Sequence, residues 1–203
     1  MANSSGSDGS GGSGWTRRRR AFAVTLVFVA AAVLSTVTLL AVQWAAAPTA
    51  RSSAAHHGLG FVRLDRPARD LSLPSLRGRG TIDLAGLAGT PIVMNFWSST
   101  CGPCKQETPA LASVAREVGG KVAFLGIDTI DARQRAIAFV TRYRVAYPIA
   151  FDPQGKAANR YGVLGLPVTV FLSPSAKTVV GENVGALTSH KLRVILRLLY
   201  GVS

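Results

Sequence analysis

The sequence predicts an α/β domain with a mixed central sheet and helices on both faces, preceded by one N-terminal transmembrane helix. Three observations carry this expectation. Short apolar runs at 91–97 (PIVMNFW) and 121–127 (KVAFLGI) alternate with stretches whose apolar residues recur at helical spacing, the pattern of strands joined by helices. Two further apolar runs, 168–172 (VTVFL) and 177–184 (KTVVGENV), are separated only by the turn Ser173-Pro174-Ser175-Ala176, so they form a hairpin. The third observation is a stretch without charge from Ala21 to Ala50, directly after Arg17-Arg18-Arg19-Arg20.

Residues 1–20 begin as a Gly/Ser-rich tail with nothing to bury and end in the arginine cluster. The apolar part of the next stretch, Ala21 to Val42, would span about 33 Å as a helix, enough to cross a bilayer core with every backbone polar group satisfied internally. Trp15 and Trp44 flank it, where amphipathic rings favour the interface, and residues 21–44 are expected to be the anchor. Four arginines on the short N-terminal flank hold that flank in the cytoplasm and place the larger C-terminal part outside. A cleaved signal peptide is the rival, with Ala45-Ala46-Ala47 as its processing site, but the apolar run is longer than such a segment needs. Residues 45–60 are small and polar and serve as a linker. His56 and His57 lie in it without further metal ligands nearby.

Residues 61–203 form the domain, about 140 residues and enough for one core. Extended pieces are expected around 70–73 and 80–84, then the strand at 91–97. A helix over 103–118 carries Cys104, Thr108, Leu111, Ala112 and Ala115 on one face. After the strand at 121–127 comes a helix over 131–145 with Ile137, Val140 and Tyr143 on one stripe. A short strand at 147–151, a short helix at 156–161 and the hairpin follow. The closing amphipathic helix spans 187–199, capped by Thr188 or Ser189.

Composition narrows the function. The chain has 203 residues, 48% of them hydrophobic, and a mean hydropathy of +0.27, which excludes a disordered chain. The net charge of +13 divides into +4 over residues 1–60 (five Arg, one Asp) and +9 over 61–203 (eighteen basic, nine acidic). Basic residues are not interleaved with aromatics on any one face, so nucleic acid is not an expected partner. Two cysteines are too few for a disulfide-stapled mini-domain or a four-thiolate zinc site.

Both cysteines lie in Cys101-Gly102-Pro103-Cys104, after an apolar strand and at the start of a helix. Random placement would produce that spacing about 1% of the time, so it points to chemistry. A helix N-terminus stabilises an anion, which lowers the pKa of the Cys101 thiol. Cys104, one turn on, faces the same side and is less exposed. Cys101 is then the attacking thiolate of thiol–disulfide exchange and Cys104 the resolving thiol. Gly102 leaves the sulfur open, and Pro103 suits a first helical turn, where its missing N–H is no loss. A zinc site would need two more ligands, and the domain holds one histidine, His190. A purely structural bridge over so short a loop would restrict little unfolded-chain entropy.

The segments NFWSSTCGPCKQETPAL, FLGIDTIDARQRAIAFVTRYRVAYPIAFDP and YGVLGLPVTVFL together resemble the thioredoxin-fold, membrane-anchored TlpA/ResA/CcmG-like thiol–disulfide oxidoreductases, over residues 65 to 200. The resemblance implies a thioredoxin-like fold with an extra strand–helix segment, and a cis-proline at Pro167 that presents the Leu166–Pro167 edge to substrate. It implies a role for Glu107, three residues after Cys104, in tuning the cysteines. Trp97 matches an aromatic of the motif, while Thr100 stands where the family often has a second one. Peroxiredoxins on this fold place Pro and Thr seven and three residues before their cysteine; here those positions are Met94 and Ser98.

The expected activity is therefore reduction of protein disulfides outside the cytoplasmic membrane, including haem-site cysteines of apocytochrome c, with no cofactor beyond the Cys101–Cys104 pair. The expected partners are cysteine-containing proteins and a transmembrane thiol electron donor. The alternatives are a disulfide-forming oxidant on the same fold and, from another class, a copper-delivery module using both thiols and His190.

Overall fold

The computed structural model describes residues 60–202; the tail, the expected anchor at 21–44 and the expected linker up to residue 59 lie outside the described residues, and Gly60, its expected last residue, opens the first strand. The elements run β1 (Gly60–Pro67), β2 (Ser72–Pro74), β3 (Thr81–Asp83), a 3-10 turn (Leu84–Leu87), β4 (Ile92–Trp97), α1 (Gly102–Val118), β5 (Ala123–Thr129), α2 (Arg133–Arg142), β6 (Ile149–Asp152), α3 (Lys156–Tyr161), β7 (Val168–Leu172), β8 (Thr178–Val184) and α4 (Ser189–Tyr200). Among the described residues no helix is long and apolar enough to cross a membrane.

Six strands form one sheet in the order β1-β8-β7-β4-β5-β6, and β2 pairs with β3 in a separate ribbon. The pairs β4–β5 and β5–β6 are parallel. Strand β7 runs antiparallel to β4, β8 to β7, and β1 to β8, so the sheet is mixed as expected. Strand β4 is buried along its whole length because it has a strand on each side and helices over both faces. Its alternation divides the core. Ile92, Met94 and Phe96 pack with Leu125, Ile127, Val170 and Tyr161 of α3 on one face. Val93 packs on the other with Leu111 and Val114 of α1 and Leu192 and Leu196 of α4. Each such side chain contributes about 1.5–3 kcal/mol through burial.

Toward the C-terminal end of β4 a third cluster gathers Trp97, Cys104, Leu76, Phe139, Val140 and Ile149. Trp97 stacks on Phe139 with ring centroids 4.6 Å apart. Gly126 makes room for this: a Cβ there would fall 2.5 Å from Ile149 Cδ1 and 2.9 Å from Trp97 Nε1.

Three expectations change. The sequence reading contains no strand at 60–67, yet β1 pairs with β8 from Gly60↔Val184 to Pro67↔Thr178, with a register shift between Arg63 and Arg66. It is an edge strand, its apolar alternation broken by that irregularity and ended by Pro67. The helix expected over 131–145 is shorter because Asp131 turns its carboxylate back to the Ala132 N–H (2.7 Å) and Arg144 takes a positive φ. Its buried stripe is Ala136, Phe139 and Val140, while Ile137 is exposed, because the helix is turned to lay Phe139 on Trp97. For α4, the cap is Thr188, whose Oγ1 accepts the Lys191 N–H at 3.2 Å.

Candidate active site

Strand β4 ends at Trp97, and four residues later Cys101 caps the N-terminus of α1 in an extended conformation, with Pro103 in the first turn. The Cys104 N–H points at Cys101 Sγ (3.1 Å), so the helix end offers a donor to that sulfur. Cys101 and Cys104 are joined in a disulfide with Cα atoms 5.3 Å apart. Cys101 is half-buried and Cys104 has no exposed surface, so the first sulfur is the accessible one.

The loop between strand and helix is held at several points. The Ser98 carbonyl accepts the Cys101 N–H (3.2 Å). The Ser98 and Thr100 hydroxyls lie 2.9 Å apart. Asp131 Oδ2 accepts the Ser99 N–H at 2.6 Å, and Asp131 Oδ1 accepts from Ala132 N–H and Arg135 Nε. Burial pushes the Asp131 carboxyl up, but these hydrogen bonds outweigh it and hold the group below the usual carboxylate range.

The Leu166–Pro167 peptide bond is cis. Pro167 is buried immediately before β7, and the Phe96↔Val168 register sets it across from the end of β4. Leu166 and Cys101 both pack, half-buried, against the cluster that holds Trp97 and Cys104. The structure therefore brings Cys101, Cys104, Trp97, Leu166 and Pro167 together at the end of the sheet where β4 stops and β7 begins.

Glu107 lies on the buried side of α1, as its spacing from Cys104 implies, and is only 1% exposed. Its Oε1 accepts from Asn95 Nδ2 (2.8 Å) and its Oε2 from the Leu187 N–H (3.0 Å). Asn95 Nδ2 also donates to Thr169 Oγ1 (3.1 Å). Burial raises the Glu107 carboxyl to about 7 despite the two donors. Burial, then the charge of Glu107, pushes the Tyr147 phenol above its usual range. The sequence reading missed Asn95, Thr169 and Asp131. A signal was present: Asn95 and Asp128 are polar residues inside otherwise apolar strands, which a buried position does not tolerate without partners or function.

Among the described residues no group of three or more His, Cys, Asp or Glu side chains is placed to hold a metal ion, and His190 is exposed in the first turn of α4. The arrangement is suited to exchange. In the reduced form an accessible thiolate at Cys101 would sit on the helix N-terminus, with a second thiol buried one turn behind it to close the disulfide.

Comparison with known proteins agrees with this chemistry. The model of the AhpC/TSA family matches residues 64–180. The chain is 37% identical over 129 residues to the thiol:disulfide interchange protein DsbE of Allochromatium vinosum, covering 63% of this chain and 70% of that protein. It is 27% identical over 139 residues to the thiol-disulfide oxidoreductase ResA of Bacillus thuringiensis subsp. konkukian, covering 67% and 78%. The crystal structure of a secreted Mycobacterium tuberculosis disulfide oxidoreductase homologous to DsbE superposes with a TM-score of 0.58 at 29% identity, covering 64% of this chain and 96% of that one. Met94, where a peroxiredoxin has its proline, is here a fully buried core residue of β4. The chain belongs to the thioredoxin-fold AhpC/TSA family and is a thiol–disulfide oxidoreductase of the DsbE/ResA type.

Proposed function

We propose that this enzyme is a reductant of disulfides in cysteine-containing proteins and works as a membrane-tethered domain outside the cytoplasmic membrane. One observation carries the direction. Among the described residues a single N–H, that of Cys104, reaches Cys101 Sγ, and no Lys, Arg or His side chain is hydrogen-bonded to it. That bond is made in the disulfide form; a Cys101 thiolate that gains no further donor on reduction leaves the disulfide form favoured, which is the condition for a reducing couple.

In the reaction, the Cys101 thiolate attacks one sulfur of the substrate disulfide and the other substrate sulfur leaves as a thiolate. Cys104 loses its proton and attacks Cys101 Sγ, which releases the second substrate thiolate and closes the Cys101–Cys104 disulfide. Two electrons pass to the substrate. Glu107, buried on the Cys104 side of α1 with a carboxyl near neutrality, tunes the titration of the pair. Leu166 and the backbone edge at Pro167 form the surface against which the substrate segment lies, with Trp97 in the buried cluster beneath Leu166. No cofactor is required.

The uncharged stretch 21–44 with Arg17–Arg20 before it supports the anchor and its orientation. A reductant in that location is spent after one turnover, so it needs a transmembrane thiol donor to restore Cys101 and Cys104. Apocytochrome c, whose haem-site cysteines must be reduced before haem attachment, is the substrate that the resemblance to the ResA-like group suggests.

The reduction potential tests the direction. A value near that of thioredoxin, about −270 mV, is expected; one near about −120 mV would make the enzyme a disulfide-forming oxidant. Cys104→Ser expressed in intact cells should accumulate mixed disulfides with protein substrates in the membrane fraction. Recovery of the protein free of partners, or in the cytosol, would count against the reading.

A further inference from the structure

Asp128 is the last but one residue of β5 and has no exposed surface. Its register partners are Trp97 on β4 and Phe151 on β6, and it shares the sheet face of Gly126, the face on which Trp97 lies. Neither of its carboxylate oxygens has a hydrogen-bond donor among the described residues. An ionised carboxylate left so would be far costlier than a neutral one.

The charged groups around it are Asp131 from the following turn, Asp152 from β6 and Arg133 from α2. Arg133 is committed elsewhere: its Nη1 donates to the Ser75 and Leu76 carbonyls, and its guanidinium lies over the Phe151 ring. Arg135 is bonded to Asp131 rather than to Asp128. Asp152 uses one oxygen on the Ala157 and Ala158 N–H groups. The charge that remains beside it is the Asp131 carboxylate, three residues on in the following turn.

The backbone turns sharply between the two aspartates. Ile130, between the two aspartates, has φ +51°, a left-handed conformation that a β-branched residue rarely adopts, and its N–H is tied to the Asp152 carbonyl at 3.0 Å. Gly155 leaves space for its side chain, since a Cβ there would meet Ile130 at 3.0 Å.

We propose that Asp128 is a positioning residue for exchange at Cys101: as a neutral acid it donates its proton to the Asp131 carboxylate, which holds the Ser99 N–H two residues before the nucleophile. The reactive loop thus senses whether Asp128 carries its proton. With the proton, one shared hydrogen locks the two carboxyls and the loop. Without it, two like charges face each other in a buried site and the hold on Ser99 loosens. Burial, then the Asp131 charge, pushes Asp128 up to about 8, which puts the transition just above neutrality. The inference rests on exchange at Cys101, but the coupling of the two carboxyls to Ser99 can be measured without turnover.

The test is an NMR titration of the oxidised full-length protein in detergent, in which neither cysteine titrates, following the Ser99 amide nitrogen and the Asp128 and Asp131 carboxyl carbons. Ser99 should shift with a midpoint of about 8, together with the Asp128 carboxyl. That step should vanish in Asp128→Asn and survive in Glu107→Gln. A Ser99 signal flat through the alkaline range, a midpoint different from that of Asp128, a step that persists in Asp128→Asn or one lost in Glu107→Gln would overturn the proposal. If Asp128→Asn does not fold, agreement or disagreement of the two wild-type midpoints decides it. In the reduced enzyme Asp131→Ala should lower kcat for disulfide exchange about tenfold with KM unchanged, the equivalent of one charge-assisted hydrogen bond. An unchanged kcat would show that the loop does not need Asp131. A wild-type enzyme that exchanges no disulfide would remove the function without touching the titration result.

Discussion

Glu107 shows at the scale of one residue how burial turns an ordinary helix glutamate into a group that titrates near neutrality. Its carboxyl rises from an ordinary 4.5 to about 7 because α1, β4 and the segment before α4 exclude water from it. Between those two values the folded protein holds a proton that the unfolded chain has released. This contribution to stability is therefore full below about pH 4.5, falls as pH rises and levels off above about 7, by at most about 3 kcal/mol. Asp128 acts with the same sign between 3.8 and about 8, and Asp131, held low, with the opposite sign in acid. Denaturant unfolding across this range should show a smaller fall from acid to neutral pH in Glu107→Gln than in the wild type; equal slopes would mean that Glu107 ionises as an exposed glutamate does. Gly126→Ala should destabilise by about 1–3 kcal/mol, since its Cβ would meet Ile149 and Trp97 at overlapping distance. Thermal unfolding checks this, and the fluorescence of the displaced Trp97 reports the cause.

At the scale of elements, the strand–helix junction from β4 to α1 makes the site. Helix α1 exposes its first N–H groups where the strand stops, and the Cys101 sulfur occupies that end as a cap. This junction was legible because each part has a local signature: an apolar run, a Gly-Pro pair and helical spacing after it. The hairpin β7–β8 and α4 were legible for the same reason, and Thr188→Ala should cost about 1 kcal/mol in chemical denaturation through loss of the cap on α4. Strand β1 was not legible. It is an edge strand whose pairing with β8 is a long-range choice, made by the exposed backbone of β8 rather than by any pattern within 60–67. The rotation of α2 was misjudged because Ile137 and Phe139 serve equally well in a helical stripe. Only the position of Trp97, on another element, selects Phe139.

For the whole molecule, the redox state and the fold are linked. A disulfide that closes a four-residue loop restricts the unfolded chain by about 2 kcal/mol at most, so the oxidised protein should be the more stable form by that order. Unfolding curves for the oxidised and reduced forms give the difference, and a reduced form that is the more stable would reverse the direction of exchange proposed here. By itself the sequence determined the α/β class, the order of most elements and the pairing of the two cysteines, because these follow from local periodicity, turn chemistry and spacing along the chain; the proline beside them came from the resemblance to a family. Only the tertiary structure decided which polar residues stand behind the sulfurs. Asn95, Thr169 and Asp131 acquire partners from elements distant in sequence, and a carboxyl's protonation is settled by the burial and neighbours that folding supplies.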